Sequence, residues 1–165
     1  MRNVGISGKT GKWILNFLAN RNQQVIVNQD ISKKSKVTSG VPQGSVLGPL
    51  LFLSMINDIN DGLQSTVSLF ADDTRIGKNI LVSSAQECVE KLQEDLNKLY
   101  SWQERNNIKF NGSKFELIRY GRKQDLKDNT MYFSTQPELV IEEAEHLRDL
   151  GEILSSDILR KLLLL

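Results

Sequence analysis

Between Val67 and Ile76 the chain reads Val-Ser-Leu-Phe-Ala-Asp-Asp-Thr-Arg-Ile, an apolar strand that stops abruptly at two adjacent carboxylates. Strand alternation puts Val67, Leu69 and Ala71 on one face and Ser68, Phe70 and Asp72 on the other. Asp favours turns, so the pattern predicts a hairpin with Asp72 and Asp73 at its tip. Carboxylates grouped at a tip are hard oxygen donors that can hold divalent cations, which is what two-metal phosphoryl transfer requires. The same pair also suits a plain solvated chain reversal. It therefore needs company before it implies chemistry.

Company comes from Ser39-Gly40-Val41-Pro42-Gln43-Gly44, which stands directly before the apolar stretch Ser45 to Ile59. Gly40, Pro42 and Gly44 impose unusual backbone geometry. A loop of this kind feeding a helix N-terminus leaves N–H groups free to face a phosphate or a base. An ordinary turn that opens a buried helix is the alternative.

At 165 residues the chain is long enough for one domain with its own core, and no repeat or low-complexity linker divides it. The longest apolar stretch, Val46 to Ile56, is broken by Gly48 and Pro49 and is too short to span a bilayer. No secretory leader is visible, which points to an intracellular chain with no membrane partner. The single Cys88 has no internal disulfide partner and reads as a small core residue. With one histidine, His146, no zinc site is available, and a lone His beside Glu145 is given no role. The formal charge of +1 hides a polarity: residues 1–38 carry Arg2, Lys9, Lys12, Arg21, Lys33, Lys34 and Lys36 against Asp30 alone. Such a basic segment suits contact with a nucleic-acid backbone, and a solvated surface accounts for it equally well.

Helical spacing of Trp13, Ile14, Phe17 and Leu18 predicts a helix over Gly11 to Asn20. Val25-Ile26-Val27, with a return near Ser35 to Thr38, predicts a hairpin around Asn28-Gln29-Asp30. The helix opening near Ser45 is apolar almost all round and is expected to be the central buried one, ending at Asp61-Gly62. Ser83-Ser84 is expected to cap a long helix to about Asn106, with Ala85, Val89, Leu92, Leu96 and Leu99 on one face and Trp102 in the core. Strands are expected over Lys114 to Tyr120 and as a short antiparallel pair from Met131 to Phe133 and Glu138 to Ile141, with a further strand or hairpin arm over His146 to Ile153. Helices grouped on one side of an antiparallel sheet make the fold α+β.

Order, spacing and identity of Val37 to Phe52, then Ile56-Asn57-Asp58-Ile59, then Phe70-Ala71-Asp72-Asp73, resemble reverse transcriptases of non-LTR (LINE-type, jockey-like) retrotransposons. The likeness continues through Trp13-Ile14, Phe17-Leu18, Trp102, Asn107, Lys114 and Leu150-Gly151, and so covers nearly the whole chain. It implies a polymerase palm with a ferredoxin-like core and RNA-directed DNA polymerase chemistry. It also implies Mg²⁺ as cofactor and RNA template, DNA primer and deoxynucleotide as partners, in the nucleus or cytoplasm.

By the same resemblance Asp72 is the first choice of metal ligand, and Asp73 the supporting carboxylate. Phe70 takes the family's aromatic position, in the core or near the primer terminus. Gly40, Pro42, Gln43 and Gly44 form the loop beside the templating base and incoming nucleotide. Lys114 is the lysine near the leaving phosphates, unless it is merely an exposed strand residue. Leu150 and Gly151 form the hairpin that grips the primer.

The match has two departures. In the family a metal-binding Asp on an earlier strand, with fingers before it, precedes the glycine loop, whereas the only acidic residue before Ser39 here is Asp30. After Asp157 the family continues into a thumb, whereas this sequence passes through Arg160-Lys161 into four leucines. The expectation is a truncated palm over residues 1–165, inactive alone, with a non-catalytic nucleic-acid or protein binding remnant as the alternative. Weak, salt-sensitive binding to nucleic acid is expected from the basic segment.

Overall fold

A computed structural model describes residues 5–79, 85–119, 130–133, 140–149, 152–155 and 162–164. They fall into two units, residues 1–58 and 59–165, although no linker marks the boundary in the sequence. Helices and small antiparallel sheets are mixed throughout, an α+β composition.

The first unit opens with helix α1 (Gly8–Leu18). Its apolar stripe is only partly covered: Gly11 and Ile14 are buried, whereas Trp13 is 55% exposed and stacks on Phe17 at 5.7 Å. A two-storey ribbon follows, in which β1 (Asn22–Gln23) pairs with β4 (Ser35–Lys36) and β2 (Ile26–Val27) with β3 (Asp30–Ile31). The strand returning along Val25 to Val27 is thus Asp30–Ile31, closer than the expected Ser35 to Thr38. Asn28 and Gln29, both at positive φ (49° and 74°), close the tip in two residues. Helix α2 (Leu47–Ile56) buries Gly48, Leu51 and Ile56, while Val46 before it and Leu50, Leu53 and Met55 within it are exposed. The expected central buried helix is therefore covered on one side among the described residues. A helix apolar all round has no polar face to fix its orientation, so its sequence does not say which residues a neighbour will cover.

The second unit is organised by helix α3 (Ala85–Asn106). Val89, Leu92, Leu96, Leu99 and Trp102 recur at steps of three and four and are all buried. The outer face is polar and includes a Glu87–Lys91 pair one turn apart. Asn107 ends the helix in the left-handed region (φ 52°). Its N–H bonds the Glu104 carbonyl and the Ile108 N–H bonds that of Gln103, the paired arrangement of a Schellman end.

Helix α3 packs on β6 (Asp73–Lys78) and β8 (Met131–Tyr132). The main sheet has four strands, all antiparallel to their neighbours, in the order β5 (Thr66–Phe70), β6, β12 (Leu162–Leu164), β7 (Leu117–Arg119). Strand β8 pairs with β9 (Val140–Ile141), as the sequence pattern predicts, whereas the stretch expected as one strand or hairpin arm over His146 to Ile153 holds β10 (His146–Asp149) and most of its antiparallel partner β11 (Glu152–Ser155). Ile76, Leu117, Ile118, Met131 and Leu147 join the α3 side chains in the core, beside an aromatic group in which Phe133 touches Tyr100, Phe110 and Phe115. At about 1.5–3 kcal/mol for each large apolar side chain buried, this unit holds most of the described chain's hydrophobic stabilisation. Among the described residues no helix is long and apolar enough to cross a membrane.

Three expectations change in detail. Lys114 lies in a single 3₁₀ turn, Gly112–Lys114, with Asn111 accepting from the Ser113 N–H at its start, so the strand begins three residues later at Leu117. The local Asn side-chain bond offers the backbone an alternative to the ladder there. Cys88 is half-buried, its Sγ 3.7 Å from the Asn79 carbonyl, and not a full core residue. The leucine run, predicted as no element, supplies the inner strand β12. Ser83-Ser84, Leu150 and Gly151 lie outside the described residues.

Candidate functional site

Register pairs Phe70 with Asp73, Leu69 with Thr74, Ser68 with Arg75 and Val67 with Ile76, so β5 and β6 are joined by the two residues Ala71 and Asp72. Asp72 sits in the turn, and Asp73 is the first residue of β6. Ala71, expected on the strand face with Val67 and Leu69, instead turns the chain at φ 53°. Positive φ at the first central residue alone is the pattern of the II′ hairpin turn, where glycine is the ordinary occupant. An alanine held there costs roughly 1–2 kcal/mol. Backbone strain of this kind clusters at functional sites.

Asp72 and Asp73 are both exposed, and among the described residues neither side chain has a hydrogen bond or ion pair. Two carboxylates project from a short, strained turn with no ion pair to compete for them. Phe70, which shares a face with Asp73 as its cross-strand partner, is 60% exposed, so the core reading for it fails. Ile76, on the other face of β6, is buried and ties the hairpin to α3.

The hairpin is anchored at its base by a residue the sequence pattern did not single out. Asp95 is fully buried in the middle of α3. Its carboxylate accepts from the Gln64 N–H (3.0 Å), the Ser65 N–H (2.8 Å) and Lys98 Nζ (3.0 Å), and Lys98 also donates to the Gly62 carbonyl at 2.9 Å. Residues 62–65 lead directly into β5. Burial pushes the Asp95 carboxyl up, but the hydrogen bonds from Ser65, Gln64 and Lys98 outweigh it and hold the group below the ordinary carboxylate value. Its signal was in the sequence: position 95 falls within the apolar stripe between Leu92 and Leu99, where a solvated charge does not belong.

In the first unit the glycine loop has its own scaffold. Gly40 and Gly44 adopt φ 75° and 77°, which other residues rarely reach. Ser45 Oγ donates to the Pro42 carbonyl (2.7 Å) and accepts from the Gly48 N–H (3.1 Å), folding the loop onto the first turn of α2. A Cβ on Gly48 would lie 3.1 Å from Ser45 Oγ and 3.2 Å from the Pro42 oxygen, so this glycine too is required by close approach. Pro42 is half-buried, and Gln43 and Gly44 are exposed, with the Gln43 amide open to solvent.

Arg21, counted above only as a charge, clamps the other end of the loop. Its Nη2 donates to the Ser39 and Gly40 carbonyls and its Nε to the Leu18 carbonyl at the end of α1 (2.9 Å). Lys33, Lys34 and Lys36 are exposed on the ribbon, and Lys114 is exposed on its 3₁₀ turn.

The donor set at the Asp pair suits a hard cation: two carboxylates, unpaired, at a tip. Among the described residues no group of three or more His, Cys, Asp or Glu side chains converges.

Comparison with known proteins bears on the same residues. Residues 1–150 match the family model described as reverse transcriptase (RNA-dependent DNA polymerase). The chain is 29% identical over 121 residues to the RNA-directed DNA polymerase from mobile element jockey of Drosophila melanogaster, covering 67% of this chain. It is 31% identical over 139 residues to a probable RNA-directed DNA polymerase from transposon X-element of the same species, covering 77%. In each case the matched part is 13% of the relative's length. No solved structure matches.

Proposed function

Because the chain belongs to the reverse transcriptase (RNA-dependent DNA polymerase) family, we propose that its Asp72-Asp73 hairpin is the metal-holding tip of a polymerase palm, part of an RNA-directed DNA polymerase of a non-LTR retrotransposon. The observation that carries this reading is the geometry of the tip: two exposed, unpaired carboxylates on a strained two-residue turn within the family-matched span. Mg²⁺ held there supplies Lewis-acid stabilisation of the charge that develops during nucleotidyl transfer. Asp72, in the turn itself, is the principal ligand, and Asp73 supports it from the start of β6.

The other roles follow from what each group can do. Gly40 and Gly44 leave two positions of the loop without a Cβ so that a template base and a deoxynucleotide can approach its backbone there, with Pro42 stiffening it and the Gln43 amide both donating and accepting. Phe70, exposed beside Asp73, offers an apolar surface to the primer terminus. Lys114 offers a cation to the leaving phosphates, and Leu150 and Gly151 grip the primer. Substrates are thus an RNA template, a DNA primer and deoxynucleotides inside the cell.

Two measurements test the reading. Mn²⁺ titrated into the chain should broaden amide signals around Ala71 to Thr74 by paramagnetic relaxation, and Asp72→Asn should remove the effect. Broadening that ignores the substitution, or that never reaches the tip, overturns the assignment. Primer extension by the chain alone is expected to be absent, because two carboxylates leave the ligand set incomplete. Robust extension dependent on Asp72 would show that another residue completes it.

The exposed lysines favour an accompanying role in binding the nucleic-acid backbone. Binding of an RNA–DNA hybrid should be weak and salt-dependent, and replacing Lys33, Lys34 and Lys36 with Gln should flatten the log–log salt slope by about one unit for each phosphate that is no longer neutralised. An unchanged slope makes these lysines a solvated face.

A further inference from the structure

A single side chain sets which way the front of the glycine loop faces. Arg21 Nη2 donates to the carbonyls of two consecutive residues, Ser39 (3.3 Å) and Gly40, and its Nε to the Leu18 carbonyl (2.9 Å). Leu18 is the last residue of α1, so the guanidinium is seated on the carbonyl end of a helix, the negative pole of its dipole, and not on the loop it holds. The main chain adds a further tie, from the Val37 N–H to the Arg21 carbonyl (2.9 Å). The segment entering the loop is thus registered against residue 21 by backbone and side chain together.

Peptide planarity carries the consequence. In a trans peptide the C=O and the following N–H lie in one plane and point in opposite directions, and among the described residues no peptide bond is cis. With the Ser39 and Gly40 carbonyls both drawn to Arg21, the N–H groups of Gly40 and Val41 both face away from it. Gly40 at φ 75° lets the two units lie side by side, a turn that a residue with a Cβ makes only under strain. Pro42 follows with no N–H, so the pair ends there. Gly40 is exposed and Val41 half-buried, and among the described residues neither N–H has a partner. Adjacent unpaired N–H groups facing one way make an anion-binding nest, and the cation on the carbonyl side polarises both peptide units so that each N–H is the stronger donor.

From this we infer that the Gly40 and Val41 N–H groups form a site for a phosphate oxygen, and that Arg21 is its positioning residue, which touches no ligand and presents the donors by holding the carbonyls behind them. The class of ligand follows from the donors. These two peptide units offer the outside N–H groups only, which suits an oxyanion that accepts and does not donate, whereas a base edge carrying amino hydrogens needs the carbonyls that Arg21 has turned inward. The inference deepens the polymerase reading of the loop and rests on it only for the source of the phosphate, an incoming deoxynucleoside triphosphate or the backbone of the template strand.

The test follows the Gly40 and Val41 amide signals of the full chain by amide proton–nitrogen correlation spectroscopy, with no divalent metal present so that the outcome does not depend on the Asp72-Asp73 tip. A deoxynucleoside triphosphate and a single-stranded RNA without terminal phosphates are titrated in separate arms, and a deoxynucleoside serves as the phosphate-free control. Saturable shifts at both amides in either phosphate arm, absent with the nucleoside, support the site, and the arm that saturates at lower concentration identifies the source. Shifts in neither arm, or equal shifts with the nucleoside, overturn it. Phosphate binding here in a chain that takes no Mn²⁺ at the tip keeps this inference and overturns the metal assignment alone. Arg21→Lys keeps the charge but exchanges a planar fork for a point charge that cannot hold all the carbonyls, and should weaken the better ligand about tenfold. Lys9→Gln, which removes an exposed charge from α1, should weaken it less than about twofold. Wild-type affinity in Arg21→Lys, or an equal loss in Lys9→Gln, shows that charge alone is at work and overturns the positioning role. Should Arg21→Lys lose the dispersed spectrum of a folded chain, solvent exchange of the wild-type Gly40 and Val41 amides decides: slowing at saturating phosphate supports the site, and no slowing overturns it.

Discussion

The Asp-Asp hairpin and the Gly-Pro-Gln-Gly loop are carried by the two units in different ways. The hairpin stands on a packed base: Ile76 is buried beneath it, and the fully buried Asp95 holds the residues that lead into β5. The loop stands on local chemistry, with two glycines at positive φ, a serine that bonds in both directions and one arginine on two carbonyls. Packing fixes where the carboxylates sit, whereas backbone permissiveness and a few hydrogen bonds fix the shape of the loop. Damage to the first should appear as reduced stability, and damage to the second as reduced local order.

The sharpest contrast lies in core truncation. Leu96→Ala removes a fully buried side chain and should cost about 2–5 kcal/mol in urea denaturation, whereas Leu50→Ala, at a position 59% exposed, should cost no more than about 0.5 kcal/mol. Equal losses would mean that α2 is covered as fully as α3, and the comparison would break.

A smaller effect is expected at the anchor. Asp95→Asn leaves the geometry in place but removes charge-assisted bonds to Gln64, Ser65 and Lys98, and should cost about 1–3 kcal/mol at neutral pH. The folded carboxyl lies below its ordinary value, so its contribution is present above the unfolded value and is lost as pH falls through the folded one. The difference between wild type and variant should therefore shrink in acid, as followed by denaturation at a series of pH values. A gap that holds constant far into the acid range would show that the carboxylate's charge is not what anchors the loop.

The turn residues give the smallest effects, of opposite sign. Gly44→Ala forces a Cβ into the left-handed region and should destabilise by roughly 1 kcal/mol, with faster amide exchange confined to the loop. Ala71→Gly relaxes the same kind of strain at the hairpin and should be neutral to slightly stabilising, by less than about 1 kcal/mol, because the freer unfolded chain offsets part of the relief. Stabilisation in both, or destabilisation in both, would mean that the two turns are not held in the same backbone region.

Much of this was legible beforehand for reasons specific to each element. Helix α3 announces itself because Val89, Leu92, Leu96 and Leu99 repeat at helical steps over many residues, a signal that outweighs local accidents. The Asp-Asp hairpin was legible because strand alternation breaks at two turn-forming residues. Less readable were the elements whose apolar residues have no direction: α2 is apolar all round, and the leucine run repeats a single side chain. Arg21 was invisible as a clamp because its partners are carbonyls, and every residue has one.

By itself, then, the sequence determined what depends on neighbours along the chain: the long helix and its buried stripe, the acidic turn, the glycines that open the loop, and the family to which these belong. Only the tertiary structure decided that Asp95 is an anchor, that Phe70 is exposed beside Asp73, that Ala71 bears the strain of the turn, and that leucines 162–164 lie between β6 and β7. The physical reason is the range of the forces. Backbone sterics and periodic burial act within a few residues and leave a pattern that can be read in order, whereas burial of a charge or the pairing of a distant strand depends on which surfaces meet, and a linear pattern does not contain that.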